Sequence, residues 1–251
     1  KNDLISPVQA VSVAETKEDL IAAHLYDAYQ RHLRAYNAVD FDDLIALPTR
    51  LLQENQAIRE KWQNKVHYML VDEYQDTNTA QYLLVKLLVG VGGRFTAVGD
   101  DDQSIYAWRG ARPENMLELT KDYPNLKVIK LEQNYRSTQN ILSAANAVIS
   151  NNENRKAKNL WSDSGQGDLL IGYVAEDEHD EADYVISKIK ELRDEEISKP
   201  GETAIFYRTN AQSRVFEESF LRSSIPYKVV GGVRFYERKE VKDFLAYLRV
   251  L

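Results

Sequence analysis

Two short, largely apolar runs, Val66–Val71 and Arg94–Val98, constrain this chain more than any other feature, because each runs straight into a cluster of acids. Unbroken apolar runs of this length suit strands covered on both faces, as in a parallel sheet. Between them, Thr77–Val89 puts Tyr82, Val85, Leu88 and Val89 on one helical face. Strand, helix, strand is the signature of a β–α–β unit. Ligands of open α/β sheets bind beyond the carboxyl ends of the strands. The segments Leu70-Val-Asp-Glu-Tyr-Gln-Asp76 and Val98-Gly-Asp-Asp-Asp-Gln-Ser-Ile-Tyr-Ala-Trp-Arg-Gly110 are therefore where function is expected.

The alternation continues along the chain. Helices are predicted over 17–36, from an Asp40 N-cap through Leu52, from a Ser137 cap to Ile149, over Glu181–Arg193, over Gln212–Leu221 and from Glu240 onward. Strands are predicted at Lys127–Leu131, Leu169–Val174, Thr203–Tyr207 and Tyr227–Val230, the last ended by Gly231-Gly232; 151–167 reads as a loop. Repeated alternation of this kind implies an α/β fold with parallel sheets. The turn Asp122-Tyr-Pro-Asn125 marks a domain boundary near 122–128.

Composition narrows the function classes. With no cysteine, disulfides, thiolate metal sites and cysteine nucleophiles are excluded. No apolar run reaches the roughly 18 residues needed to cross a bilayer, so no membrane partner is expected, and a cytoplasmic location fits. The net charge of −7 argues against a bulk nucleic-acid binder. A narrow cationic groove on an acidic protein remains compatible with it. Acid is concentrated in Ala175–Asp183, whereas 201–250 is locally basic. The chain starts without Met and stops inside an amphipathic pattern, so both ends read as cuts in something longer.

At the first strand end, Asp72 suits a magnesium ion bound to a nucleoside triphosphate, and Glu73 suits activation of the water that attacks the γ-phosphate. The competing reading is a pair of acids placed to stabilise the next helix; Tyr74-Gln75-Asp76 beside them makes the chemical reading the more specific. At the second strand end, Gln103 can bond a γ-phosphate or the attacking water. Tyr106, Trp108 and Arg109 form the aromatic and cationic set that stacks bases and holds phosphates of single-stranded nucleic acid. Arg136 follows a strand at the start of a second domain, where a cation can complete a site shared across a cleft. Trp62 and Trp161 read as packing residues, and His24, His32, His67 and His179 lack metal-ligand spacing.

Val71–Asp76, Gly99–Ala111 and Leu131-Glu-Gln-Asn-Tyr-Arg-Ser137 resemble motifs II, III and IV of superfamily I DNA helicases of the UvrD/Rep/PcrA type. Phe41-Asp-Asp-Leu44, Ala204–Arg214, Ile225–Gly232 and Glu237–Asp243 extend the resemblance through the chain, and the triple Asp and Arg112-Pro113 sit nearest the Rep branch. The resemblance implies parts of two RecA-like P-loop NTPase domains. Residues 1–35 would end a helical insertion of the first domain, 36–126 would form its second half, and 127–251 the first half of the second. It implies ATP and Mg2+ as cofactors, 3′–5′ translocation on single-stranded DNA and unwinding at duplex junctions, with replication or repair proteins as partners. Asp72 would hold magnesium, Glu73 act as base and Gln103 sense the γ-phosphate. Tyr135 would stack on adenine and Arg136 reach the γ-phosphate. Tyr106, Trp108, Arg109, Arg208 and Asn210 would contact DNA.

The chain departs from that pattern. The phosphate loop Gly-x-x-x-x-Gly-Lys-Ser/Thr is absent, as are motifs V and VI, and Gly90-Val-Gly-Gly93 and Gly165-Gln-Gly167 lack the lysine. The 251-residue chain alone is therefore expected to show little ATPase activity, and its first sheet to have exposed edges. A non-catalytic DNA- or protein-binding module on the same scaffold is the alternative. A nuclease using Asp72, Glu73 and Asp76 would need further ligands from other strands and leaves Tyr135 and Arg136 without a role.

Overall fold

The computed structural model describes residues 1–152, 158–230 and 239–248. The chain divides into two compact units, Lys1–Leu169 and Leu170–Leu251. In the first, α1 (Pro7–Ser12) leads to α2 (Lys17–Ala35), which starts where Thr16 and Asp19 cap each other. The Thr16 hydroxyl accepts from Asp19 N–H, and the Asp19 carboxylate accepts from Thr16 N–H, both at 3.1 Å. Helix α3 (Asp43–Glu54) has Asp42 at its N-cap, not the predicted Asp40. Asp40 still serves that end: its Oδ1 accepts from Asp43 N–H at 2.9 Å. Asp40 and Asp43 together clamp Lys1 Nζ at 2.5 and 2.9 Å. Helix α4 (Gln56–Lys65) follows from an Asn55 cap.

The β–α–β unit forms as expected. β1 (Met69–Val71) and β2 (Phe95–Ala97) pair in parallel with Leu70 opposite Thr96. Between them α5 (Thr79–Val89) begins at an Asn78–Gln81 capping box and ends at Gly90 with φ 65°, a left-handed position suited to glycine. Helix α6 (Asn115–Asp122) closes over the unit. The core is Tyr74, Phe95 and Leu119, flanked by Met69, Val71, Tyr82, Val89 and Tyr123. Phe95 packs against Tyr123 at 5.0 Å between ring centroids, and Tyr74 meets Tyr82 edge-on at 6.5 Å.

The later strands are a correction. Lys127–Leu131, Leu169–Val174, Thr203–Tyr207 and Tyr227–Val230 join no ladder among the described residues. A strand exists only where a neighbouring backbone supplies its bonds, and among the described residues these runs have none. Many of their apolar side chains are uncovered: Leu131 is 78% exposed, Val174 95% and Phe206 93%. One isolated parallel bridge, Gln133 with Trp161, forms outside these runs. The two predicted parallel sheets thus reduce, among the described residues, to one two-stranded parallel sheet in an α/β chain. Gly231 and Gly232 lie outside the described residues.

Helix α7 (Gln139–Ile149) begins after Thr138, one residue beyond the predicted Ser137. No side chain caps it, because the Gly165 and Gln166 carbonyls accept from Gln139 and Asn140 N–H, each at 3.0 Å. In the second unit, α8 (Glu178–Asp194) starts at Asp177, whose Oδ1 accepts from His179 and Asp180 N–H at 2.9 and 2.8 Å. Helix α9 (Ser213–Arg222) belongs to the same cluster as α8, built on Ile186, Ile189 and Ile225 with Val185, Ile205 and Phe220. Helix α10 (Lys239–Leu248) follows. No helix among the described residues is long and apolar enough to cross a membrane.

Asp122, the last residue of α6, fastens that helix to α5. It accepts a hydrogen bond from Tyr82 and pairs with Lys86 Nζ at 2.6 Å. Partial burial works against its charged form, but Lys86 and Tyr82 outweigh that and hold the carboxyl below its ordinary value. A depressed folded-state pKa stabilises above the ordinary carboxylate range and ceases to do so as pH falls through the folded value. Asp122→Asn should cost about 1 kcal/mol at neutral pH. The gap to the unsubstituted chain should narrow as the pH falls below the ordinary aspartate value of about 3.9, as urea unfolding at neutral and at acid pH would measure.

Candidate functional site

The acids at the end of β1 are placed by backbone bonds to β2. Val98 N–H donates to Val71 O at 2.8 Å, and Tyr74 N–H donates to Val98 O at 2.9 Å. Between those two bonds the chain carries Asp72 and Glu73 out to the surface. Asp72 Oδ1 accepts from Glu73 N–H at 2.9 Å. Glu73 has φ 50° and ψ 44°, the left-handed region, which typically costs a residue with a side chain about 1–3 kcal/mol.

Gln75 lies directly behind Glu73 and is only 1% exposed. Its Nε2 donates to Glu73 Oε2 at 2.8 Å, and its Oε1 accepts from Asp100 N–H at 2.9 Å. Asp100 in turn accepts from Gln103 Nε2 at 2.9 Å through Oδ2 and from Asp102 N–H at 3.0 Å through Oδ1. Glu73, Gln75, Asp100 and Gln103 therefore form one hydrogen-bonded line across the ends of both strands. Gly99 makes room for it: a Cβ there would lie 2.8 Å from Gln75 Oε1 and 3.2 Å from the Tyr74 and Gln75 backbone nitrogens. Beside the line, a concavity of about 330 Å3 is bordered by Asp72, Glu73, Asp76, Thr77, Gln81 and Val85. Asp76 Oδ1 is buried without a hydrogen-bond partner among the described residues.

The exposed Asp72 carboxylate, at a strand end and facing this concavity, has the hard-oxygen character that magnesium requires. The other acidic cluster does not. Asp100, Asp101 and Asp102 bring carboxylates within 4.8 Å of one another. Lys158 already sits among them, hydrogen-bonded to Asp100 and 3.4 and 3.2 Å from Asp101 and Asp102. Burial alone would lower the lysine pKa, but the bonds and charges of Asp100 and Asp102 outweigh it and hold the ammonium above its ordinary value. A resident cation occupies the place a metal would take.

The predicted aromatic and cationic set forms. A single 3-10 turn, Ala107–Arg109, ends at Gly110 with φ 86°. Trp108 is 70% exposed, its ring 6.4 Å from that of Tyr106. The Arg109 guanidinium lies over both, 4.4 Å from the Trp108 centroid and 5.3 Å from that of Tyr106. This loop is tied back to the segment after Asp72 and Glu73. Asn2 Nδ2 donates to Arg109 O at 3.2 Å, while Asn2 Oδ1 accepts from Asn78 Nδ2 at 3.1 Å. Buried Asn115 donates to Thr77 O at 2.9 Å, and Arg112 N–H bonds the same carbonyl at 2.9 Å.

Tyr135 and Arg136 stand on a turn made by Asn134, whose Oδ1 accepts from Arg136 and Ser137 N–H at 2.9 and 2.8 Å. Both side chains are exposed. No hydrogen bond or ion pair joins them to Asp72, Glu73 or Gln103 among the described residues. Arg208 and Asn210, in the second unit, lie on the loop before α9 and are exposed; Gln212 Oε1 holds that loop through Arg208 and Thr209 N–H, both at 2.9 Å. The sequence marked Asp72, Glu73 and Gln103 but assigned no role to Gln75, Gly99, Asn2 or Lys158. A glutamine two residues from the candidate base was the available signal for the first. Nothing local marks Lys158, which meets the acids across 58 positions of chain.

The class these features define is that of the UvrD/Rep helicases, and the chain belongs to that family. A family model of the UvrD/REP helicase N-terminal domain matches residues 1–124, and one of the UvrD-like helicase C-terminal domain matches 129–251. Among individual relatives, it is 55% identical over 251 residues to the ATP-dependent DNA helicase Rep of Salmonella typhimurium and to that of Escherichia coli. It is 53% identical over 261 residues to the ATP-dependent DNA helicase UvrD1 of Mycobacterium tuberculosis, and 47% over 251 to PcrA of Leuconostoc citreum. Each match takes in 100% of this chain, but the chain spans only 37% of the length of the Rep proteins and 34% of the others.

The packing at Gly99 is directly testable. Gly99→Ala should lower the unfolding free energy by about 1–3 kcal/mol. Gly92→Ala, with nothing within 4 Å of the added carbon, should stay within about 0.5 kcal/mol of the parent. Urea denaturation of the two variants compares them.

Proposed function

We propose that this chain is the central part of an ATP-driven motor that moves 3′ to 5′ along single-stranded DNA and opens duplex junctions. The observation that carries the reading is the hydrogen-bonded line from Glu73 to Gln103, which ends three residues before the Tyr106–Trp108–Arg109 platform. One short loop thus touches the nucleotide end of the site at one side and a base-stacking surface at the other. In this reading 36–126 is the second half of the first RecA-like domain, 127–251 the first half of the second, and 1–35 the end of a helical insertion. The cytoplasm, where replication or repair proteins would be partners, is the compartment that fits.

Bound ATP with Mg2+ supplies the phosphoryl group and neutralises charge on its oxygens. Asp72 offers the carboxylate that holds the metal. Glu73 takes the proton from the attacking water, its oxygen aimed by Gln75. Gln103, anchored on Asp100, bonds the γ-phosphate oxygens and responds to their loss. Tyr135 stacks on the adenine and Arg136 supplies positive charge to the γ-phosphate, both from an exposed turn. Trp108 and Tyr106 stack on bases while Arg109 holds a backbone phosphate, and Arg208 and Asn210 contact the strand in the second domain.

Two substitutions in the full-length motor separate chemistry from grip. Glu73→Gln should leave ATP and DNA binding near normal and lower DNA-stimulated turnover by about 10²–10⁴; retained turnover removes Glu73 as the base. Trp108→Ala should weaken single-strand affinity by about 1–3 kcal/mol with nucleotide binding unchanged. Unaltered affinity, read by fluorescence anisotropy on a labelled oligonucleotide, rules out the stacking role.

A further inference from the structure

We infer that Gln75 is a positioning residue for hydrolysis: it aims the Glu73 carboxylate and ties that aim to the position of Gln103. The inference rests on the assignment of Glu73 as the base and goes beyond it. Glu73 needs outside help, because its side chain is exposed and its backbone sits in the left-handed region. Exposure leaves the carboxylate free to take several rotamers, and the backbone conformation is one that glutamate does not favour. Gln75 removes that freedom with an amide donor 2.8 Å from Glu73 Oε2.

The other half of the amide determines what Glu73 is aimed with. Gln75 Oε1 accepts from Asp100 N–H, and Asp100 holds Gln103 through its carboxylate. A shift of the Asp100–Gln103 turn is therefore carried to Glu73 through a single rigid amide, with one hydrogen bond on each side. The amide cannot swivel out of this role. It is buried, and the Gly99 Cα passes so close that even a methyl group would collide with its oxygen. An amide serves both neighbours, since a carboxylate faces its N–H on one side and an N–H faces its oxygen on the other.

Two substitutions separate positioning from packing. Gln75→Met keeps the length and volume but neither hydrogen bond. Gln75→Glu keeps the oxygen that accepts from Asp100 and sets a carboxylate against Glu73. In the full-length motor both should lower kcat of DNA-stimulated ATP hydrolysis on the order of ten- to a hundredfold. KM for ATP and affinity for single-stranded DNA should stay within about threefold, as expected when an interaction acts on the chemical step alone. A merely structural Gln75 predicts instead that Gln75→Glu, which retains the bond to Asp100, keeps the parent kcat; that result overturns the inference. So does a fall in kcat matched by equal losses of ATP and DNA binding. Adding Gln75→Met to Glu73→Gln should cost nothing further, because residues that act as a unit are not additive; a further loss of tenfold or more also overturns it. Glu73→Gln measured alone tells the two claims apart, since turnover retained there defeats the base assignment itself.

Discussion

Val98 uses both of its backbone groups across the sheet, donating to Val71 O and accepting from Tyr74 N–H. Those two bonds decide where β1 stops and how far the next residues project. The strands are only three residues each, so the ladder by itself is a weak clamp. What secures it is the cluster beneath: Tyr74 follows the two acids in sequence and is fully buried against Leu119 and Phe95. Burying a ring of this size stabilises by roughly 1.5–3 kcal/mol, offset in part by the Tyr74 hydroxyl, which is buried without a hydrogen-bond partner among the described residues. The apolar anchor and the exposed carboxylates are thus adjacent residues, and packing of the first fixes the place of the others.

Charge at the site is handled by two different devices. At the β1 end, Asp72 and Glu73 remain in water, where an ionised carboxylate needs no partner. At the β2 end three consecutive aspartates are partly covered, and such a group is tolerated only when paired. Lys158 provides the pairing from a distant part of the chain. The Asp100 carboxylate, held by Lys158, can therefore serve Gln103 and Asp102 N–H as a fixed acceptor.

Legibility in the sequence followed the range of the forces involved. The β–α–β unit, the helices α2, α3 and α7 to α10, and the placement of Asp72, Glu73, Gln103 and Trp108 just past the strands were readable because periodicity, capping and motif spacing are local, whereas the helices α1, α4 and α6 were not read. Asn78 with Gln81 announces the start of α5 in three residues. The four later strands were misread for the same reason: Leu169–Val174 has strand composition, but a ladder needs a partner that composition cannot supply. Asp40 was taken for a cap when the cap lies two residues on, at Asp42, a displacement within the ordinary uncertainty of helix ends. Lys158 and Asn2 were invisible because their partners lie far away along the chain.

Glu73 is where local preference and function conflict most openly. Glycine would adopt φ 50° and ψ 44° without strain, and nothing about glutamate favours that conformation. The surroundings enforce it through Asp72 Oδ1 on the Glu73 N–H, Asp76 N–H on the Glu73 carbonyl and Gln75 on its carboxylate, at 2.9, 2.9 and 2.8 Å. At about 0.5–1.5 kcal/mol apiece, these bonds are enough to offset the strain of one left-handed residue. A carboxylate held in a conformation it would not choose, by neighbours that also touch the second strand, can respond when those neighbours move. A glycine would sit there at lower energy and could do none of the proposed chemistry, so on that proposal the strain belongs with the function and not with the fold.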